Sequence, residues 1–436
     1  MRHFVRSSCT GRLLALVAAL VGFYGGTSAW AFNPGVTKLH GRSPETKTDF
    51  RFGQSVALSD LWLVVGEPQN DEIGDFAGAV QVFDARTGRF LRKITATDLP
   101  SFSFFGTSVS VCGNLALIGA PGANGGIGAA FVYDLKTGKR LAQLDPAFGV
   151  SGDDFGTAVS LGGDWALCGA PGFNGDKGVA YLFDVKTATQ LARYQNPTPV
   201  VERFGSAVSL SGNLAAVGVP EHDTPLANAG AVFLFDASDR ASQAPASLRK
   251  LSAADPVLNG AFGQSVSLYG HLLLTGAKGA TGAAIGSGAA YLHDVRTGGE
   301  LGKLFTVDGL FGQEFGSGVS LSGNLGLIGA QSGNGNSTGT GAAYLFDVSR
   351  RVELAKWIAP DGQGGDRYGV SVALCGGSAL IGAHLDDDQA NNSGAAYYYR
   401  NISGPLQLTS KAKSGDFAPG IIGADFVSFA NVYLND

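Results

Sequence analysis

The chain has 436 residues, with 66 glycines, 15% charged residues and a formal net charge of −5. Low charge excludes an intrinsically disordered chain, and the acidic balance argues against nucleic acid as a partner. The chain is longer than a domain with a single hydrophobic core usually is. An array of repeats is not limited in this way, because each unit packs only against its neighbours.

The first 31 residues have the features of a secretory signal peptide. Three arginines form a basic start, Leu13–Phe23 is a short apolar run, and Ala29-Trp30-Ala31 is an A-x-A cleavage site. The apolar run is too short to span a bilayer well. We therefore predict an exported protein, secreted or periplasmic, that begins at Phe32 and has no membrane span after the signal peptide is removed.

An aromatic residue followed by glycine returns seven times after this leader. The pairs are Phe52-Gly53, Phe105-Gly106, Phe155-Gly156, Phe204-Gly205, Phe262-Gly263, Phe315-Gly316 and Tyr368-Gly369. A period of about 50 residues built from short strands is typical of propeller blades. The sequence thus predicts an all-β fold, a seven-bladed β-propeller of four-stranded antiparallel blades.

Each repeat contains four strand patterns, which we name a to d. In the second repeat, Val109 and Val111 alternate with serines, which predicts an innermost strand a that is bulky on one face and small on the other. An apolar strand b follows and ends at a Gly-Ala-Pro turn. Strand c begins at Gly128 and carries aromatic residues two apart, and strand d keeps an apolar pair at Leu141 and Leu144.

The ends of the array leave one strand to be assigned. Asp-x-x-Thr-Gly turns such as Asp84–Gly88 predict bulged c–d hairpins throughout. Two segments, one at Val36/Leu39 and one at Leu406-Gln407-Leu408, both have the pattern of a strand d, and one of them must complete the seventh blade. The predicted propeller spans residues 32–412, and 413–436 form a C-terminal extension.

The Phe-Gly openings and the Gly-Ala-Pro turns resemble FG-GAP repeats, the unit of the integrin α-chain propeller and of many secreted bacterial proteins. The resemblance covers nearly the whole chain after the leader. It implies calcium loops of the form Asp-x-Asp-x-Asp-Gly between strands a and b. Here those links are short, as in Cys112-Gly113-Asn114, and one carboxylate at most cannot supply six to eight oxygen ligands.

Acidic residues gather instead in the loops between strands b and c. The candidate ligand-binding residues there are Glu67, Asp71, Asp75, Glu221, Asp223 and His384. The loop of blade seven also offers Asp386, Asp387 and Asp388, for which we hypothesise weak calcium binding. The alternative interpretation is that these loops carry charge for solubility.

No catalytic residue set is recognisable. No Gly-x-Ser-x-Gly elbow precedes a predicted helix, and no metalloprotease helix is present. His293 stands where other repeats have phenylalanine or tyrosine, as expected for a packed aromatic substitute.

Three functions remain open. The first is a secreted, non-catalytic binding or adhesion propeller that presents its variable loops on one face to an extracellular protein or glycan. In this layout the b–c and d–a connections share one face, whereas the nearly constant a–b and c–d turns share the other. The second is a secreted polysaccharide hydrolase or lyase with carboxylates at the channel mouth, and the third is a structural component of the envelope.

Overall fold

A computed structural model describes residues 35–42, 49–196, 200–223, 225–239 and 245–402. The leader, the strand pattern at Leu406–Leu408 and the C-terminal extension lie outside the described residues. The described chain falls within one compact unit, Asn33–Gly404.

The described residues form 28 strands and two single helical turns. The strands are β1 (Val36–His40), β2 (Ser55–Leu58), β3 (Trp62–Glu67), β4 (Ala79–Asp84), β5 (Phe90–Ile94), β6 (Ser108–Cys112), β7 (Leu115–Ala120), β8 (Ala129–Asp134), β9 (Lys139–Leu144), β10 (Ala158–Gly162), β11 (Trp165–Ala170), β12 (Val179–Asp184), β13 (Thr189–Tyr194), β14 (Ala207–Ser211), β15 (Leu214–Val219), β16 (Ala231–Asp236), β17 (Arg249–Leu251), β18 (Phe262–Tyr269), β19 (Leu272–Ala277), β20 (Ala289–Asp294), β21 (Gly299–Leu304), β22 (Phe315–Ser322), β23 (Leu325–Ala330), β24 (Ala342–Asp347), β25 (Val352–Trp357), β26 (Val372–Cys375), β27 (Ser378–Ala383) and β28 (Ala395–Arg400). The helical turns are α1 (Ala123–Gly126) and α2 (Phe173–Asp176). Neither turn has the length or hydropathy of a membrane-crossing helix, and the rest of the described chain contains no such helix.

The strands form seven antiparallel sheets of four, so the predicted seven-bladed all-β fold is confirmed. Blades one to six take their strands a to d in chain order, beginning with β2–β5 and ending with β22–β25. The strands a of neighbouring blades contact each other around the whole ring, including β26 against β2, which makes strand a the innermost strand.

Blade seven is completed by the N-terminal strand. Its order is β1-β28-β27-β26, and the register pairs Val36 with Tyr399 and His40 with Ala395. Of the two segments that the sequence left open, Val36–His40 is therefore the one that supplies strand d. The first strand of the chain thus closes the ring by pairing with the last.

The Phe-Gly and Gly-Ala-Pro glycines are fixed by contacts between blades. Phe105 is fully buried against the aromatic residues of strand c in its own blade, and the next residue, Gly106, has a φ of +95°. A methyl group on Gly119, at the end of strand b, would lie 1.9 Å from the carbonyl oxygen of Gly156 in the following blade. Only glycine allows backbones to approach this closely.

Serines on the small face of strand a join neighbouring blades through hydrogen bonds. The Ser108 hydroxyl donates to the Gly156 carbonyl at 2.7 Å, and the Ser110 hydroxyl accepts from the Leu161 amide at 3.0 Å. The ring closes with the same bond, from Ser371 to the Gly53 carbonyl at 2.8 Å. The small residues of strand a therefore provide hydroxyl links as well as the taper that the sequence predicted.

Candidate binding face and its polar clusters

The b–c and d–a connections lie together on one side of the ring, which we call the loop face. At each junction the d–a loop donates a backbone hydrogen bond to the b–c loop of the blade before it. Examples are Phe102 to Asp75 at 2.7 Å and, across the closure, Asp49 to Asn391 at 2.8 Å. The predicted arrangement of connections is thus the observed one.

The opposite side, which we call the turn face, is nearly uniform. In its c–d turns the aspartate accepts backbone hydrogen bonds, as Asp84 does from Arg86 and Thr87, both at 2.9 Å. Gly88 then adopts a φ of +71°, as the hairpin prediction requires. Variation between blades is therefore concentrated on the loop face.

In blade seven, Asp386 and Asp388 meet Asp361 of the preceding d–a loop rather than Asp387. Oxygens of these three carboxylates lie within 4.8 Å of one another. The ammonium group of Lys38, on β1, stands among them, 2.9 Å from Asp361, 2.8 Å from Asp386 and in contact with Asp388. Burial opposes the charge of Lys38, but the three carboxylates outweigh it and raise the pKa of the ammonium. Calcium would have to displace this lysine.

Tyr397 completes that cluster, and related clusters occur at other junctions. The Tyr397 hydroxyl lies 2.7 Å from Asp361 and 2.9 Å from Asp386, and burial together with these carboxylates raises its pKa. The same three residue types recur as Asp255, Tyr291 and Lys303 and as Asp308, Tyr344 and Lys356. Sequence reasoning missed this set, although the aspartate always stands four residues after the last residue of strand d.

In blade one the predicted acidic residues separate. Glu67 is buried, and its carboxylate accepts a hydrogen bond from Gln81 at 3.0 Å. Burial raises the pKa of Glu67 to about 7, while the charge of nearby Lys93 and the Gln81 bond act against the rise. Asp75 is exposed and Asp71 half-buried, so only the surface pair remains accessible to a ligand.

Blade four contains a buried network that the sequence did not indicate. Glu202 contacts His222 Nδ1 at 2.7 Å and accepts from Asn196 at 2.6 Å. The other imidazole nitrogen, Nε2, lies 2.5 Å from the Lys250 ammonium. Asn196, Glu202 and His222 are buried, whereas Lys250 is an exposed residue. The predicted residues of this loop, Glu221 and Asp223, are also exposed.

The residues that precede the seven aromatic-glycine pairs lie just before the innermost strands a, and we call them the mouth ring. All seven have φ between +54° and +61°, a region that costs a non-glycine residue about 1–2 kcal/mol. Its members are Arg51, Phe104, Asp154, Arg203, Ala261, Glu314 and Arg367. Within this ring the carboxylates are Asp154 and Glu314, which belong to the non-adjacent blades three and six.

Seven segments of the chain match the model of the FG-GAP repeat family. They are residues 44–83, 89–133, 141–183, 201–235, 246–293, 299–346 and 352–399, more than half of the chain. The protein belongs to the FG-GAP repeat family. Comparison with functionally curated proteins finds no significant match.

The FG-GAP repeat and the blade are offset by one strand. The segment 89–133, for example, contains β5 of blade one and β6–β8 of blade two. Such a segment therefore joins two blades, whereas 44–83 and 201–235 contain strands a to c of a single blade. This propeller fold is consistent with a binding or adhesion role.

The loop face also carries exposed apolar residues, which were not among the candidate ligand-binding residues predicted from the sequence. Four of them stand on two adjoining loops at the junction of blades five and six, and we call them the apolar patch. They are Ile285, Val307, Leu310 and Phe311, which are 78%, 90%, 54% and 83% exposed. A methyl group on Gly286 would lie 3.2 Å from the Phe311 ring, and the Gly312 amide donates to the Gly286 carbonyl at 3.0 Å. The sequence could have indicated these exposed apolar residues, because Val307-Asp308-Gly309-Leu310-Phe311 is a largely apolar segment in a predicted loop.

Proposed function

We propose that this protein is an exported, non-catalytic binding propeller that holds an extracellular protein or glycan on its loop face. The observation that carries the proposal is the apolar patch. Large apolar side chains that are more than half exposed and grouped together mark interaction surfaces in soluble proteins. They stand on loops that a rigid ring of seven sheets holds in place, an arrangement that favours recognition.

The charged residues of the loop face support a binding role for the apolar patch rather than a catalytic site. The acidic residues with the deepest burial, Glu67 and Asp386, are engaged by Gln81 and Lys38. The carboxylates of the mouth ring are separated, and Glu314 lies 3.9 Å from Arg367. The loop face also carries exposed Glu221, Asp223 and Asp387, in the loops of blades four and seven. Apolar and polar side chains on one face are the usual composition of an interface.

The test is a protein and glycan array with the protein that begins at Phe32, followed by surface plasmon resonance on the ligands found. The variant Val307→Ser/Phe311→Ser is expected to weaken binding at least tenfold, since central apolar contacts dominate most interfaces. The matched control, Leu61→Ser/Tyr269→Ser, changes residues of the turn face that are 49% and 50% exposed. Equal affinity of the two variants would overturn the assignment to the loop face.

Export is tested separately. Expression with the native leader in a secreting host should yield protein outside the cytoplasm whose N-terminal residue is Phe32, as determined by Edman sequencing. Recovery of uncleaved chain inside the cells would contradict export and leave the binding surface untouched.

A further inference from the structure

A basic cluster lies on the loop face where the first and last blades meet. His384 follows Gly382-Ala383 at the end of β27 and is only 9% exposed. On one side, Gly53 packs against the Ala383 amide, and the Arg51 amide donates to the Asn392 carbonyl at 3.2 Å. On the other side, the Leu385 amide donates to the Asp366 carbonyl at 3.2 Å, which places Arg367 beside the histidine.

Two polar atoms of this cluster are buried without a hydrogen-bond partner among the described residues. They are Nδ1 of His384 and Nε of Arg51. A buried donor or acceptor without a partner is costly, and native structures usually supply one, often a bound water or ion. The unpaired atoms therefore mark a place where the fold has not satisfied its own polar groups.

The positive charges of the cluster are also not fully paired with carboxylates. Within the described part of the chain no carboxylate forms an ion pair with Arg51, whereas Arg367 is 3.9 Å from Glu314 and donates to Ser332. Burial, and then the positive charges of Arg51 and Arg367, lower the pKa of His384 to about 4. Of the neighbouring acids, buried Asp366 accepts from the Gln363 amide at 2.6 Å, and Asp361, Asp386 and Asp388 are held by Lys38.

We propose that Arg51, Arg367 and His384 form a binding site for an oxyanion, either a carboxylate or a sulfate group. Two guanidinium groups offer forked donors that match the planar or tetrahedral oxygens of such groups. The neutral imidazole adds a donor without a third charge. The site stands apart from the apolar patch in blades five and six, so it does not depend on the function proposed above.

Arg203 provides an internal comparison. It occupies the same place in the mouth ring as Arg51 and Arg367, with a φ of +55°. Its guanidinium, however, pairs with Asp176 at 3.2 Å and approaches Glu221 at 3.9 Å. The position alone therefore does not create an anion site. The difference lies at Arg51, for which the described residues supply no carboxylate partner, whereas Arg203 is paired with Asp176.

The test is calorimetric titration of the protein beginning at Phe32 with sodium glucuronate and with sodium sulfate at constant ionic strength, with glucose as the neutral control. Saturable binding of an anion but not of glucose is expected. Arg51→Gln and His384→Gln should each weaken it about tenfold or more, and Arg203→Gln should change it less than twofold. Tighter binding of glucuronate than of sulfate would identify the bound oxyanion as the carboxylate of an acidic sugar. Tighter binding of sulfate would identify it as a sulfate group.

Equal weakening in Arg203→Gln and Arg51→Gln would overturn the proposal, as would the absence of binding to both anions. A second readout does not require a folded variant. In the unaltered protein, the imidazole proton signals of His384 should shift during the titration, while those of His222 and His293 stay fixed. Uniform or absent shifts would likewise contradict the site.

Discussion

The ammonium group of Lys38 lies 2.8 Å from the carboxylate of Asp386, which joins the first strand of the chain to the last repeat. Asp386 lies in the loop between β27 and β28, and β1, which carries Lys38, pairs with β28 through the backbone. Closure of the ring thus combines hydrogen bonds with a nearly buried ion pair, whose side chains are 15% and 2% exposed.

We expect Lys38→Met to destabilise the propeller by about 3–5 kcal/mol, because it leaves Asp386 charged and buried without its partner. Urea unfolding followed by circular dichroism measures the change. Lys356→Met serves as the control, since it breaks the more exposed pair with Asp308 and should cost about 1 kcal/mol or less. Similar losses of unfolding free energy in both variants would show that the Lys38–Asp386 pair stabilises the protein no more than an exposed pair does.

The same lysine decides the calcium hypothesis for blade seven. Because the ammonium occupies the space between Asp361, Asp386 and Asp388, we expect Lys38→Met to bind calcium at least tenfold more tightly than the unaltered protein, with oxygen ligands released for the cation. Calorimetry at low temperature tests this. Asp387→Asn should have no effect, and equal or absent calcium binding in both proteins would refute the prediction.

Gly119→Ala is expected to cost about 3 kcal/mol or more, since the added carbon would lie 1.9 Å from the Gly156 carbonyl oxygen and push two blades apart. Thermal melting provides the measurement. The control is Gly113→Asn in an a–b turn, where φ is +59° and no atom lies within 4 Å of the carbon that the substitution adds. It should cost about 1 kcal/mol, because asparagine tolerates this conformation. A mild effect at Gly119 would refute the close-contact explanation.

His293 makes stability dependent on pH. Burial lowers its pKa to about 4 from 6.5, although a hydrogen bond with the Ser252 backbone opposes this. Between these values the unfolded chain binds a proton that the folded chain does not, so this contribution to stability is lost as pH falls, by about 2 kcal/mol at pH 5. His293→Phe, which restores the aromatic residue of other repeats, should reduce the difference in melting temperature between pH 8 and pH 5. His271→Phe, in an exposed turn, should leave it unchanged.

The fold could be predicted almost completely because each of its rules is repeated seven times. The aromatic-glycine pair, the alternation of strand a and the turn chemistry are all local, and each is visible within a few residues. His293 was correctly predicted as a packed aromatic substitute, since it lies against Phe262 with ring centroids 5.7 Å apart. The choice between the two terminal strands could not be made, because both have the same apolar pattern and only the register with β28 distinguishes them.

The candidate site was harder to predict from the sequence, because charged residues that pair in the structure are far apart in the chain. Nothing near Asp386 in the chain indicates Lys38, and nothing near Glu202 indicates Lys250. Acidic residues in loops suggested surface ligands, whereas Glu67, Asp386 and His384 are buried. Whether Glu67, Asp71, Asp75, Glu221, Asp223 and His384 bind a ligand, and whether the protein is exported, stay predictions.

The pairing of β1 with β28 also governs the order in which the protein can mature. The first strand is synthesised early but has no partner until the final repeat has emerged, so closure is a late, long-range event and a slow one by topology. Until then both edges are open templates for another chain. Two molecules maturing at high concentration can therefore exchange their first strands and remain linked as a dimer.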